Sequence, residues 1–155
     1  MPTLTVSAVV ESLEPVTVLV QRLAADAGLS PEAAYQLRLA TEELFVNIVR
    51  HGYGPGRPDG RIVVEGGMSA ERAWVRLTDT APPFDPFQAG TPTGLSRPLR
   101  DRKPGELGLY LIRHAVDAAS HEYIGGSNRT TVAMWRARPD EDGRIGHGRD
   151  DTDRQ

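Results

Sequence analysis

Three polar side chains follow one another at intervals of four residues in the segment TEELFVNIVRHGYG, residues 41–54. They are the carboxylate of Glu43, the amide of Asn47 and the imidazole of His51. Since an α-helix turns once every ~3.6 residues, this spacing places the three groups along one side of a helix. Such groups transfer protons and bind polar ligands. The segment is therefore the first candidate for a functional site.

The same segment is also compatible with an ordinary amphipathic helix that has a solvated polar face. One arc of the helix is apolar and contains Ala34, Leu37, Thr41, Leu44, Phe45 and Ile48. The other arc is polar and contains Gln36, Glu43, Asn47 and Arg50. Helix composition alone favours the solvated face. However, Leu39 and Val46 flank the polar stripe, which indicates that this side does not simply face water.

Composition limits the classes of protein to which the chain can belong. Its 155 residues, 39% hydrophobic and 25% charged, fit one soluble domain with a single core. The net charge of -3 offers no general attraction for nucleic acid or an anionic membrane. The absence of cysteine excludes disulfides and thiolate metal sites. No apolar run is long enough to span a bilayer and residues 1–10 lack signal-peptide features, so we expect a cytoplasmic protein.

Alternation and helical spacing predict the order of the elements. Strands are predicted at 3–10, 61–65, 73–79, 122–126 and 130–138, and helices at 12–28, 30–52 and 106–121. The signals are strongest for helix 30–52, where Ser30 is a preferred N-cap, Pro31 fits the first position and Gly52 is a natural end. Glycines and a serine at 66–69 predict the turn of a hairpin.

Two stretches lack the periodicity of regular structure. Six prolines and three glycines within residues 81–105 exclude regular elements and are typical of a lid, a binding loop or a disordered segment. Residues 139–155 are acidic and poor in apolar side chains, so we expect a disordered tail after a domain of residues 1–138. The mixed order of elements predicts an α+β fold, a two-layer sandwich with helices on one face of a mixed, largely antiparallel sheet.

Four segments resemble the sequence motifs of the GHKL, or Bergerat-fold, ATPases. EELFVNIVRHGYG resembles the N box, LTDTAPPFDP the first glycine box, GELGLYLIRHAVDAASHEY the second glycine box and NRTTVAMWR the closing strand. The HGY tripeptide is similar in particular to the anti-sigma factor serine kinases. The motifs are in register and span about residues 3–137. The resemblance therefore implies a Bergerat-type fold for nearly the whole chain.

The resemblance implies roles for three residues. Asn47 matches the family's metal-binding asparagine, and its amide oxygen suits Mg²⁺. Glu43 matches the catalytic glutamate, which orients the attacking hydroxyl or accepts its proton. Asp79 matches the aspartate that accepts a hydrogen bond from the adenine amino group. Without the other motifs, an aspartate before a threonine and two prolines would be interpreted as a turn residue.

The resemblance also implies a larger nucleotide-binding set. Gly105 and Gly108 would let the backbone approach the phosphates, towards which the helix beginning near Leu107 would direct its N-terminal end. A GxxG spacing is a weak signal by itself. The implied set comprises Asn47, Arg50, Asp79, Ala81, Phe84, Lys103, Gly105, Leu107, Gly108, Leu109 and Thr130.

Two further features concern the phosphates. Lys103, with Arg100 and Arg102, forms a dense basic cluster that either screens phosphate charge or is simply an exposed basic loop. Thr130 is in the first place a strand residue, although the family often has a threonine near the phosphates at this point. The sequence has no GxxxxGK[ST] motif, so a P-loop nucleotide site is not indicated.

The chain departs from the family pattern at two positions. Ala81 occupies a place where the first glycine box usually has glycine, which excludes backbone conformations that only glycine adopts easily. Glu106 stands where the second box often has glycine, and its carboxylate would repel phosphate and favour ADP over ATP. With these two departures, the resemblance supports nucleotide binding more firmly than kinase turnover.

The function implied by the resemblance is that of an anti-sigma regulatory factor with ATP-dependent serine/threonine protein kinase activity. ATP and Mg²⁺ would be its cofactors. Its partners would be an anti-sigma factor antagonist protein, which it phosphorylates, and a sigma factor, which it sequesters. A homodimer is compatible with this assignment, whereas direct contact with nucleic acid or membrane is not expected. The alternative is a non-catalytic regulatory module that binds nucleotide and a protein partner.

Overall fold

The structure is a computed structural model, and it describes residues 1–54, 59–89 and 106–136. Only the backbone is described for residues 89, 106, 107 and 109–111. Two predicted segments lie outside the described residues. They are the tail at 139–155 and residues 90–105 of the loop predicted at 81–105. The predictions for these two segments therefore stay predictions.

The described chain contains five strands and four α-helices. The strands are β1 (Thr3–Ser7), β2 (Arg61–Met68), β3 (Arg72–Asp79), β4 (Ala118–Ile124) and β5 (Ser127–Trp135). The helices are α1 (Leu13–Asp26), α2 (Pro31–Asn47), α3 (Pro86–Ala89) and α4 (Glu106–Ala115). A 3₁₀ turn precedes α1 at Val10–Ser12, and a π-helical turn continues α2 at Ile48–Tyr53. None of these helices combines the length and hydrophobicity needed to cross a bilayer.

The five strands form one sheet in the order β1-β2-β3-β5-β4. Every pairing between these described strands is antiparallel. Alternate residues of β3 are buried beneath the helices, among them Val75 and Leu77, and α1 and α2 pack against β2 and β3. The opposite face is open, and Trp135 there is 52% exposed. The prediction of an α+β sandwich with helices on one face of a largely antiparallel sheet is confirmed.

Helix α2 has the N-terminal signals predicted for it. The Ala33 backbone N–H donates to Ser30 Oγ at 3.1 Å, and Pro31 occupies the first turn. The helix buries Leu37 and Phe45 completely in the core. It does not stop at Gly52 as predicted, because its π-helical extension continues to Tyr53 and the following Gly54 takes a positive φ of 79°. This left-handed residue ends the helix.

The prediction of a hairpin turn at 66–69 is wrong in its position. Gly66 and Gly67 lie inside β2, and the turn begins at Ser69, whose N–H donates to Arg72 O at 2.8 Å. A Cβ on Gly67 would overlap the indole of Trp74 on the neighbouring strand. The glycine makes room for a cross-strand aromatic ring rather than turning the chain.

The predicted helix at 106–121 is too long at its C-terminal end. Helix α4 ends at Ala115, and the chain from Ala118 forms edge strand β4, which pairs along its length with β5. Apolar residues at 115, 116, 118 and 119 fit either element, and pairing with β5 decides the outcome. Consequently His114 and His121, which the sequence places seven residues apart on one helix, lie on different elements.

The proline-rich stretch also contains one helical turn that the sequence analysis excludes. Residues Pro86–Ala89 form α3, with Pro86 at its start, where a missing N–H costs nothing. Asp85 Oδ1 accepts a hydrogen bond from the Phe87 N–H at 2.9 Å and so satisfies one of the free donors of this turn. Phe87 is buried in the core cluster and anchors the segment.

Candidate functional site

A small cavity lies where the C-terminal end of α2 meets the end of β3 and the start of β5. It is lined by Leu44, Asn47, Ile48, Gly52, Asp79, Pro82, Phe84, Pro86, Asn128 and Thr130. The cavity encloses about 20 Å³, which is room for one water molecule. Pockets that hold small ligands typically have volumes of several hundred cubic ångströms. A ligand can therefore enter only if part of this wall moves.

Asp79 is the last residue of β3 and is 4% exposed at the cavity. Its Oδ1 accepts hydrogen bonds from the Ala81 N–H and from Asn128 Nδ2, both at 3.0 Å. Burial raises the pKa of Asp79, whereas the hydrogen bonds from Asn128 and Ala81 and the nearby His121 act against this rise. The site thus contains a carboxylate whose charged form is disfavoured by burial.

Asn128 is a site residue that the sequence analysis missed. It is 3% exposed and lies opposite Asp79 in the register of β3 and β5. Besides its bond to Asp79, its Nδ2 donates to Ala81 O at 3.0 Å and to Pro82 O at 3.1 Å. Its Oδ1 accepts from the Phe84 N–H at 3.1 Å. Asn128 is the first residue of the NRTTVAMWR segment, but only the strand register reveals that it lies opposite Asp79.

Asn47 is the last residue of α2, and it is buried at 8% exposure against the cavity. The polar stripe of α2 is therefore not simply a solvated face. No described group forms a hydrogen bond with its side-chain amide, so the oxygen is available to a ligand. Among the described residues there is no cluster of three His, Cys, Asp or Glu side chains that could hold a metal ion. One amide oxygen fits a cation that takes its other ligands from phosphate and water, as Mg²⁺ does.

Glu43 lies one helical turn before Asn47 and contacts the first turn of α4. A Cβ added to Gly108 would come within 2.8 Å of Glu43 Oε2, so the carboxylate lies directly against this glycine. Gly108 is the third residue of α4, where backbone N–H groups have no partner within a helix. The carboxylate therefore lies at the electropositive end of that helix.

Ala81 fits its position without backbone strain. None of the described non-glycine residues has a positive φ, so the turn after Asp79 does not require glycine. Alanine therefore adopts the backbone conformation found here without needing one reserved for glycine. A Cβ on Gly52 would come within 3.4 Å of the Ala81 Cβ, which shows that the alanine methyl group packs against Gly52.

Tyr53 joins the π-helical turn to the strands beside the cavity. Its hydroxyl donates to Arg61 O at 2.6 Å and accepts from the Thr80 N–H at 2.9 Å. Since Thr80 follows Asp79 directly, these bonds hold the end of α2 next to the end of β3. The HGY tripeptide thus has a structural role in closing the site.

Thr130 and Arg50 occupy different surroundings. Thr130 is buried and lines the cavity, and its Oγ1 lies 3.1 Å from His121 Nδ1 on β4. Arg50 is exposed on the π-helical turn and is not part of the cavity wall. Phe84 lines the cavity with one edge while remaining 39% exposed.

The remaining predicted site residues belong to the second glycine box. Lys103 and Gly105 lie outside the described residues. Leu107 and Leu109 lie in the first turn of α4 but their side chains are not described, and the same holds for Glu106. Their proposed contacts with phosphate stay predictions.

Comparison with known proteins gives the same family as the motifs. A family model described as a histidine kinase-like ATPase domain matches residues 6–136. The serine/threonine-protein kinase BtrW of Bordetella bronchiseptica is 32% identical over 108 residues, which cover 70% of this chain and 75% of that protein. The serine-protein kinase RsbW of Listeria innocua is 31% identical over 113 residues, which cover 67% of this chain and 68% of that protein.

A solved structure gives the same fold. The crystal structure of RsbU and RsbW domains from Mycobacterium tuberculosis matches 90% of this chain with a TM-score of 0.60 at 18% sequence identity. This chain spans 34% of that longer chain. At this identity the likeness establishes the fold alone.

Proposed function

This chain belongs to the histidine kinase-like ATPase domain family, and we propose that it is an anti-sigma regulatory factor with ATP-dependent serine/threonine protein kinase activity. The observation that carries the proposal is the shared cavity of Asn47, Asp79 and Thr130, with Glu43 one turn away on the same helix. Two relatives with kinase names, each above 30% identity, favour catalysis over a purely binding module. Residues 1–138 would form the nucleotide-binding domain of a cytoplasmic protein.

Asp79 is proposed to recognise the adenine amino group. Both hydrogen bonds that its carboxylate receives from described residues end on Oδ1, so Oδ2 remains to accept the amino N–H. The acceptor is already desolvated in the nucleotide-free state, which lowers the cost of burying it under a base. Thr130 and Phe84 supply walls of the same cavity.

Asn47 is proposed to provide one ligand to Mg²⁺ through its side-chain oxygen. When bound, the ion would supply positive charge that neutralises the charge developing during transfer. Asn47 is buried at the end of α2 and lines the cavity, which supports this role. Arg50, Lys103, Gly105, Leu107, Gly108 and Leu109 are proposed to complete the phosphate side of the site.

Glu43 is proposed to act as the general base. The hydroxyl oxygen of a serine or threonine on the antagonist protein attacks the γ-phosphorus of ATP, and the bond from that phosphorus to the β–γ bridging oxygen breaks. The hydroxyl proton passes to the Glu43 carboxylate, and ADP leaves as the second product. The contact between Glu43 and Gly108 places the carboxylate beside the first turn of α4, where the γ-phosphate would lie.

The antagonist protein and a sigma factor are the proposed partners, and phosphate transfer is the test of the assignment. The purified chain should transfer label from γ-labelled ATP to a serine or threonine of its antagonist in a Mg²⁺-dependent reaction. Calorimetry with the same nucleotide reports binding independently of transfer. Tight ATP binding without transfer to any antagonist would instead support the non-catalytic binding module.

A further inference from the structure

Asn128 contacts both Asp79 and the turn that follows it, and we infer that it is a positioning residue that sets the preference for adenine in this chain. The inference rests on the proposed function, in which Asp79 reads the adenine amino group. On this inference, the preference for adenine depends on the way in which β3 and β5 pair. Asn128 itself would touch the aspartate and the turn, and would act on the base through them.

The first part of the geometry concerns the orientation of the carboxylate. Asn128 and Asp79 are direct partners in the register of β5 and β3. Two donors, Asn128 Nδ2 and the Ala81 N–H, reach the same Asp79 oxygen at 3.0 Å each. Two bonds to one oxygen restrict rotation about the Cβ–Cγ bond. The other oxygen is then presented to the cavity, and no described group donates to it.

The second part concerns the wall against which a base would pack. The Asn128 amide donates to Ala81 O and Pro82 O, and it accepts from the Phe84 N–H. Pro82 and Phe84 both line the cavity. One buried side chain therefore sets the distance between the acceptor of the amino group and the surface that the base contacts. An asparagine is suited to this task because it has two N–H donors and a carbonyl acceptor in one plane.

A purely structural role would have a different consequence. Buried amides commonly serve only to satisfy backbone groups of a turn. Loss of such a support would weaken the binding of every nucleotide alike. Loss of the Asp79 orientation would weaken only a nucleotide that carries the amino group. The ratio of two affinities, rather than either affinity alone, separates the two roles.

The experiment compares ADP with inosine diphosphate, which has a carbonyl in place of the adenine amino group. The calorimetric titrations are done without Mg²⁺, so that the proposed metal ligand Asn47 does not contribute to the measured difference. We expect the parent protein to bind ADP about tenfold or more tightly than inosine diphosphate, since a hydrogen bond to a charged group is at stake. In Asn128→Ala the ratio should fall to within about threefold of unity, with the affinity for inosine diphosphate retained.

Three further variants make the result specific. Asn128→Val suits a β-strand and has no N–H to donate to Asp79, so it should lose the preference in the same way and serves if Asn128→Ala does not fold. Arg129→Gln changes the exposed neighbour on β5 and should leave the ratio unchanged. In the Asp79→Asn background, Asn128→Ala should change the ratio no further, because the two residues act as one unit.

The outcomes distinguish this inference from the proposed function. Equal weakening of ADP and inosine diphosphate in both Asn128 variants would overturn the inference and leave Asn128 as a support of the turn. A parent preference that persists in both variants would also overturn it while leaving the role of Asp79 intact. A parent protein without any preference would contradict the adenine-reading role itself, and the inference would fall with it.

Discussion

Asp79 combines a buried position with a proposed role as the hydrogen-bond acceptor for adenine. Burial raises its pKa above the ordinary aspartate value, so the ionised form destabilises the folded state relative to the protonated form. The stability that this group contributes is fully present below its unfolded pKa and is lost as pH rises through its folded pKa. A residue kept at such a cost is typical of a ligand-binding site.

The Asp79→Asn variant should separate folding stability from nucleotide binding. We expect ATP affinity to fall by about 10- to 100-fold, because a hydrogen bond to a charged group contributes about 1.5 to 3 kcal/mol. The nucleotide-free variant should melt at the same temperature as the parent or higher at pH 7, since asparagine carries no charge to desolvate.

Thermal melts from acid to neutral pH test whether the charge of Asp79 destabilises the folded protein. The difference in melting temperature, variant minus parent, should grow as pH rises above the ordinary aspartate pKa. A difference that stays constant over this range would show that the charge of Asp79 does not limit stability.

Glu43 should be dispensable for binding and essential for transfer. In Glu43→Gln we expect unchanged affinity for Mg²⁺-ATP and a loss of about 10²- to 10⁴-fold in phosphoryl transfer, the range typical of a general base. Calorimetry measures the first quantity and transfer of label to the antagonist measures the second. Full transfer by the variant would contradict the role as base.

Asn47, unlike Glu43, should affect the binding of nucleotide, and it should do so only when Mg²⁺ is present. In Asn47→Ala we expect weaker binding of ATP when Mg²⁺ is present and little change when it is chelated, because only the metal-bound nucleotide uses the amide oxygen. Paired titrations with Mg²⁺ and with EDTA provide the comparison. Equal losses under both conditions would assign Asn47 to packing rather than to the metal.

At the scale of the element, the site depends on how α4 packs against α2. Gly108 of α4 contacts the Glu43 carboxylate, and a Cβ there would lie 2.8 Å from Oε2. A helix normally gains up to ~1 kcal/mol when an interior glycine is replaced by alanine. At Gly108 this gain is opposed by the displacement of a side chain on the neighbouring helix.

The Gly108→Ala variant should therefore lose phosphoryl transfer by an order of magnitude or more while remaining folded. The control is Gly108→Ala in a Glu43→Ala background. Because the Glu43 carboxylate is absent there, the alanine at position 108 should raise the melting temperature. Transfer rate and thermal melts report the two effects. Unchanged transfer in Gly108→Ala would mean that Glu43 adapts freely and that its contact with α4 has no functional weight.

The end of α2 shows how an irregular element serves the site. The π-helical turn Ile48–Tyr53 carries Gly52 to the Ala81 methyl group and the Tyr53 hydroxyl to the Thr80 N–H. Such wide turns are frequent at functional sites. Here the turn brings the last residues of a long helix to the end of a central strand, where Asp79 lies.

At the scale of the whole molecule, the proposed nucleotide site is expected to open before a base can enter it. A single core of residues from α1, α2 and the sheet underlies the site, whereas the wall at 82–86 packs over a cavity of only about 20 Å³. A base cannot enter this volume without displacing that wall. Opening and closing of this wall are therefore expected to accompany each binding event.

Hydrogen exchange tests this opening directly. The Phe84 N–H, bonded to Asn128 at 3.1 Å, should exchange by local opening in the free protein and more slowly at saturating Mg²⁺-ADP. Amides in the middle of β3, such as that of Val75, provide an internal reference, since the central sheet should open only with global unfolding. Identical exchange of residues 82–86 with and without nucleotide would contradict a moving wall.

The sequence by itself determined the parts of the molecule that local signals encode. The cap at Ser30, the apolar face of α2 and the alternation of β3 depend on neighbours within a few residues, and the structure confirms all three. The family resemblance likewise depends on short motifs, and the fold and family that it implied are confirmed. The proposed roles of Glu43, Asn47 and Asp79 come from the same motifs.

Only the tertiary structure decided the features that depend on pairing between distant segments. Gly67 could not be placed inside β2 without its partner Trp74, and β4 could not be told from a helix without β5. Asn128 became a site residue only because the register sets it opposite Asp79, 49 positions earlier in the chain. A one-residue change of register would turn its amide to the other face of the sheet. Local sequence does not specify that register, because it results from the packing of the whole core.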